Sequence, residues 1–97
     1  MNPLDASANQ HYNVTTLGDT TLTGKLVLVR IVVNKKGASS NTATVYDGSD
    51  SDVKIGIIDT TDRVGSIEYG LPCLTGIKIS VATGTAPDLT VVYREQP

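Results

Sequence analysis

His11 is the single histidine of this chain and Cys73 the single cysteine. A Ser/His/Asp or Cys/His system would therefore have one candidate base, set in a polar N-terminal stretch with no nucleophile motif around it. Zinc needs several His or Cys ligands, and the chain does not hold them. Cys73 follows Pro72 in a short apolar patch and reads as a buried, inert thiol. With no second cysteine it forms no disulfide within the chain. The residues point to a protein that is not an enzyme and carries no cofactor or metal.

Asp47, Asp50 and Asp52 with Gly48 invite comparison with a calcium loop, because clustered carboxylates supply hard oxygen ligands. A loop starting at Asp47 would want glycine at its sixth position and glutamate at its twelfth, where this chain has Asp52 and Ile58. The stretch reads as a solvated turn, with weak Ca²⁺ binding or a charged docking loop as the alternatives. Gly24-Lys25 does not make a phosphate loop: the preceding glycine, Gly18, is one residue too far, and Leu26 stands where a hydroxyl should hold Mg²⁺. Lys35-Lys36 beside Gly37 reads as a solvated loop able to meet an acidic partner.

The formal charge is −2, with basic and acidic residues spread along the chain, so no basic face is expected to track a nucleic acid backbone. No apolar run approaches the roughly 20 residues that span a bilayer. The start, Met1-Asn2-Pro3-Leu4-Asp5, lacks the basic and apolar regions of a signal peptide, so synthesis and initial retention in the cytoplasm are expected. Trp and Phe are absent, which leaves a core of Val, Ile and Leu. A single small domain with so modest a core commonly gains stability from disulfides, metals or oligomerisation, and the first two lack residues here.

Period-two segments alternate with turn clusters. Residues 1–12 read as an extended polar arm and 13–97 as one β domain. The expected strands are Tyr12–Leu17, Leu22–Val33 with a possible break near Gly24, Thr42–Tyr46, a segment with Val53, Ile55 and Ile57 inward, Val64–Tyr69 ended by Gly70-Leu71-Pro72, one carrying Ile77, Ile79 and Val81, and a last one carrying Leu89, Val91 and Tyr93. No segment holds a helical period. About seven or eight short strands joined by Gly, Asn, Asp, Ser and Pro predict an all-β antiparallel sandwich, jelly-roll-like or Ig-like, or a small barrel.

The run Leu26 to Val33 is apolar on both alternating faces. Strict alternation puts Val27, Val29, Ile31 and Val33 on one side and Leu26, Leu28, Arg30 and Val32 on the other. With the first set in the core, the second joins Tyr46, Ile58 and Val92 on an outward face that needs a cover, which predicts a self-association surface where Arg30 either pairs with a partner's carboxylate or projects to solvent over its neighbours. The competing readings are a bulge that exchanges the faces and an N-terminal segment that folds over this surface. The arm, through Asn2, Pro3, Leu4, His11 and Tyr12, is expected to order on a partner.

Several pieces of this chain resemble small β-sandwich proteins from the structural modules of tailed bacteriophages, chiefly capsid decoration or cement proteins. They are Leu26-Val27-Leu28-Val29-Arg30-Ile31-Val32-Val33-Asn34, Thr42-Ala43-Thr44-Val45-Tyr46-Asp47-Gly48, Ile57-Ile58-Asp59-Thr60, and Gly84-Thr85-Ala86-Pro87-Asp88-Leu89-Thr90-Val91-Val92-Tyr93-Arg94. The resemblance rests on strand and turn patterns and carries over no binding residue. It implies a multicopy virion protein, a homo-oligomer with trimer favoured, bound to the major capsid protein on the outer surface of the head and made in the bacterial cytoplasm. A head-fibre, neck or tail component, including a carbohydrate- or receptor-binding sandwich, is the alternative, weakened by the lack of Trp platforms.

Overall fold

The structure, a computed structural model, describes residues 8–48 and 53–96. Eight strands follow in chain order: β1 Gln10–Val14, β2 Gly18–Thr23, β3 Leu26–Lys35, β4 Thr42–Asp47, β5 Lys54–Asp59, β6 Gly65–Cys73, β7 Gly76–Ala82 and β8 Asp88–Glu95. They form two four-stranded antiparallel sheets, sheet A in the order β1-β8-β3-β6 and sheet B in the order β2-β7-β4-β5. No helix occurs among the described residues.

The pairings have a simple rule. Strands β1 and β8, β2 and β7, β3 and β6, and β4 and β5 pair antiparallel, as in one long ribbon folded back at the β4–β5 connection. Two further pairings, β3 with β8 and β4 with β7, roll that ribbon into two facing layers. This is the jelly roll, which settles the choice among the sandwiches expected from the sequence. Consecutive strands other than β4 and β5 lie in opposite sheets, so the stretch read as one long strand from Leu22 is really β2 and β3, parted at Gly24 (φ +115°).

The core lies between the layers. Leu28, Ile31, Leu89 and Val91 of sheet A face Ala43, Val45, Ile77 and Ile79 of sheet B, all fully buried. Each large aliphatic side chain so placed stabilises the fold by about 1.5–3 kcal/mol relative to exposure.

Strand β3 departs from strict alternation. Its pairing with both β6 and β8 shifts register between Leu28 and Arg30, so Val29 is an extra residue and the inward set is Leu26, Leu28, Ile31 and Val33. A one-residue insertion exchanges the faces beyond it. Leu26 and Leu28 are therefore core, not the outward surface expected of them, and Ile58 is buried as well. Its neighbour Ile57, expected inward, stands out, and so does Val53.

Two further boundaries move. Strand β1 starts at Gln10, so His11 and Tyr12 belong to the sheet and not to an arm. Strand β6 continues through Pro72 to Cys73, beyond the break expected at Gly70. It borders only β3, and an edge strand is where a missing backbone donor is tolerated.

The connections gather at two ends. At one end the β3–β4, β5–β6 and β7–β8 loops are joined: Ala38 and Thr85 exchange backbone bonds, and the Gly37 N–H donates to the Thr60 carbonyl at 3.2 Å. Asn41 and Thr60 are buried there, and every buried polar side-chain atom among the described residues has a partner. At the other end the Gly24 N–H reaches the Thr75 carbonyl, and the Gly48 N–H reaches that of Gly76 at 2.8 Å.

Candidate functional site

The residues expected to share one outward surface are distributed over three places. Leu26, Leu28 and Ile58 are in the core. Arg30, Val32 and Val92 lie on the outer face of sheet A, half-buried, in neighbouring strands where Arg30 pairs across from Val92 and Glu68, and His11 lies across from Val92. Tyr46 lies on the outer face of sheet B, its ring 5.6 Å from the Lys78 ammonium. Asn2, Pro3 and Leu4 lie outside the described residues, as do Asp50 and Asp52 of the acidic turn.

On sheet A, Arg30 and Glu68 form an exposed ion pair at 2.9 Å. The Ser66 hydroxyl donates to Glu68 at 2.6 Å, and this bond together with Arg30 holds the Glu68 carboxyl below the usual range. Further along the same face, one oxygen of Asp88 accepts from Asn13 at 2.7 Å and from Asn34 at 3.1 Å, which lowers its pKa in turn. The half-buried valines of this face are therefore framed by satisfied polar groups.

Asp47, placed with the acidic turn from sequence, instead lies near the Cys73 thiol, which is pushed up to about 11 by burial first and by the Asp47 carboxylate second. A thiol so placed is a poor nucleophile at neutral pH. Among the described residues no group of three or more His, Cys, Asp or Glu is arranged to hold a metal ion.

One of the concave features of the described surface is at the β5–β6 flank. These are the edge strands of sheets B and A on the same side of the sandwich, and a cavity of about 220 Å³ opens between them. Val33, Ile57, Ile58, Ile67 and Tyr69 supply its apolar wall, and Asp59 at the end of β5 with Asp62 and Arg63 of the following connection supply its polar rim. Asp59 caps the turn that follows it: its carboxylate accepts from the Thr61 hydroxyl at 2.6 Å and the Thr61 N–H at 3.0 Å, which keeps it ionised to lower pH. Partial burial raises the Tyr69 pKa. Ile57 is 57% exposed and Val64, beside this turn, 54%.

Sequence reasoning missed this flank because it placed Ile57 inside and Ile58 outside. The adjacent isoleucines signalled that one of them must face outward. The register shift between Val45 and Tyr46 in the β4–β5 pair, invisible in either strand alone, accompanies the observed choice.

No family model matches this chain, and no curated protein matches it. Among solved structures it is similar to the Drosophila NLP core, whose crystal structure gives insight into pentamer formation and histone binding. The two share 16% sequence identity over 91% of this chain and 97% of the other, with a TM-score of 0.58. At that identity the likeness is one of fold.

Proposed function

We propose that this chain is a non-enzymatic structural protein that self-associates and decorates the outer surface of a mature tailed-phage head. The observation behind the self-association is the β5–β6 flank, where Ile57 and Val64 stand more than half exposed beside an apolar cavity. Apolar side chains grouped around a concavity mark contact surfaces more often than scattered ones do. The jelly roll supports the same reading, since the NLP core, which shares this fold, forms pentamers. Three copies around a local three-fold axis of the shell is the arrangement favoured here.

The head location rests on the resemblance of the strand segments to phage decoration proteins. The outer face of sheet A, where Val32 and Val92 flank the Arg30–Glu68 pair, offers the shell-facing contact with the major capsid protein. A protein that binds only the expanded shell stabilises it by mass action, and bridging neighbouring capsomers adds interface that resists internal pressure. No step of this requires a catalytic group.

The test is particle composition. Mass spectrometry of purified virions is expected to find the protein at on the order of hundreds of copies per particle, as a repeated shell site requires. A copy number of about three to twelve would move it to a head fibre, neck or tail. Absence from the particle would overturn the reading.

A further inference from the structure

We propose that the loop end built on Asn41 and Thr60 binds a neutral, hydroxyl-rich ligand, a saccharide, in the open hollow lined by Ala38, Ser39, Ser40, Thr42, Asp59 and Thr61. This goes beyond the assembly role and does not depend on it. The hollow holds about 370 Å³, within the range of about 300–1,000 Å³ usual for small-molecule sites. Ser39 and Ser40 are consecutive residues in the left-handed region, at φ +58° and +64°. Two such residues in a row cost least as Asn-Gly or Gly-Gly, because a Cβ is crowded in that conformation. Thr83, the remaining non-glycine residue with positive φ among the described residues, is held by the Asn41 amide, which donates to its carbonyl at 2.8 Å. The serines have no such anchor: the hydroxyls of Ser39, Ser40 and Thr42 make no hydrogen bond among the described residues. Backbone strain of this kind gathers at ligand sites. The base beneath is firm, since Ser40 precedes the buried Asn41 and Thr61 follows the buried Thr60 that bonds to it.

The lining decides the ligand class. Asp59 carries its one formal charge; Oδ1 accepts from the Thr61 hydroxyl at 2.6 Å and the Thr61 N–H at 3.0 Å, and Oδ2 accepts no bond among the described residues. An anion would meet that carboxylate with no cation in the lining to offset it. A divalent cation takes six or more oxygens, several of them charged, and here one carboxylate is already half engaged. An apolar ligand would desolvate the hydroxyls and the carboxylate and give them nothing in return. A neutral polyol satisfies them all: its hydroxyls both donate and accept, as those of Ser39, Ser40 and Thr42 do, and neighbouring ones can donate to Asp59 Oδ2. The lining has no aromatic face for a sugar ring to stack on, so recognition rests on hydrogen bonds and the dissociation constant is on the order of millimolar.

The test is an amide NMR titration of the full chain with glucose, galactose, mannose, rhamnose and N-acetylglucosamine, each added singly, and separately with calcium chloride. At least one sugar is expected to give saturable shifts centred on Ser39, Ser40, Thr42 and Thr61. Asp59→Asn, whose side-chain carbonyl still accepts from Thr61, is expected to weaken that sugar about tenfold. Ser40→Gly removes a hydroxyl and relieves one left-handed residue, so it is expected to weaken the sugar about fivefold while raising the thermal midpoint. No saturable shift with any of the sugars overturns the proposal, as do shifts centred on Ile67 and Tyr69, which would assign binding to the β5–β6 cavity. Shifts at these loops with calcium and not with sugar overturn it in favour of a cation. Unchanged affinity in Asp59→Asn, or a Ser40→Gly protein that melts lower or binds as before, overturns it as well.

Discussion

Asn41 and Thr60 are both fully buried, and the Thr60 hydroxyl donates to the Asn41 side-chain carbonyl at 2.6 Å. The Asn41 amide group in turn donates to the backbone carbonyls of Thr83 at 2.8 Å and Ala82 at 3.2 Å. Three connections that are far apart in sequence are thus tied by one residue pair. Because every group is satisfied, removing one partner strands the other in a dry site, which costs more than the bond itself contributes. Asn41→Ala and Thr60→Val are each expected to destabilise by about 1–3 kcal/mol, and the double variant by clearly less than the sum, as a double-mutant cycle of urea midpoints would read.

Leu28→Asp is expected to prevent folding, because it places a carboxylate in the centre of the core at a cost comparable to the whole stability of a small domain, about 5–15 kcal/mol. Ile57→Asp is expected to leave the fold intact, since the side chain already meets solvent. Circular dichroism melts of the two variants separate these outcomes. A folded Leu28→Asp protein would restore the strictly alternating faces of β3.

Gly84 has φ +65°, and a Cβ there would press on the carbonyls of Ala38 and Ser39 across the joined loops. Gly84→Ala is therefore expected to lose about 1–3 kcal/mol. Gly56→Ala is the control: a Cβ at that position meets nothing, and the change is expected to be neutral or stabilising within about 1 kcal/mol. Thermal midpoints measured side by side check the contrast.

Four carboxylates on the surface are held below their ordinary range: Asp19 chiefly by Ser80, Asp59 by Thr61, Glu68 by Ser66 and Arg30, and Asp88 by Asn13 and Asn34. The unfolded chain binds protons more readily at these positions than the folded one. Their stabilising contribution is thus complete above the unfolded values near about pH 4 and is lost as pH falls through the depressed folded values. Melting temperature is expected to hold between pH 7 and 5 and to drop below about pH 4. Asp88→Asn should make that drop shallower; an unchanged acid limb would assign it to other groups.

Strand periodicity was legible wherever one face was polar. Ile77, Ile79 and Val81 alternate with Lys78 and Ser80, and Leu89 and Val91 with Thr90, and all five aliphatic side chains are buried as read. The same rule failed in β3, where both faces are apolar and no polar residue between Leu26 and Val29 betrays the bulge. That insertion is fixed by the partners β6 and β8, which lie about 40 and 65 residues away in sequence. The β5–β6 groove was equally illegible, because it exists only once the two sheet edges are brought side by side.

Strand β8 pairs with both β1 and β3, so it occupies the middle of sheet A while being the last strand of the chain. On the ribosome, β3 can join β6 once residue 73 has emerged, but β1 has no neighbour in its sheet until residues 88–95 have left the exit tunnel. Sheet A is therefore completed only once β8 is available, and β1 waits with an open edge while the strands between them are translated.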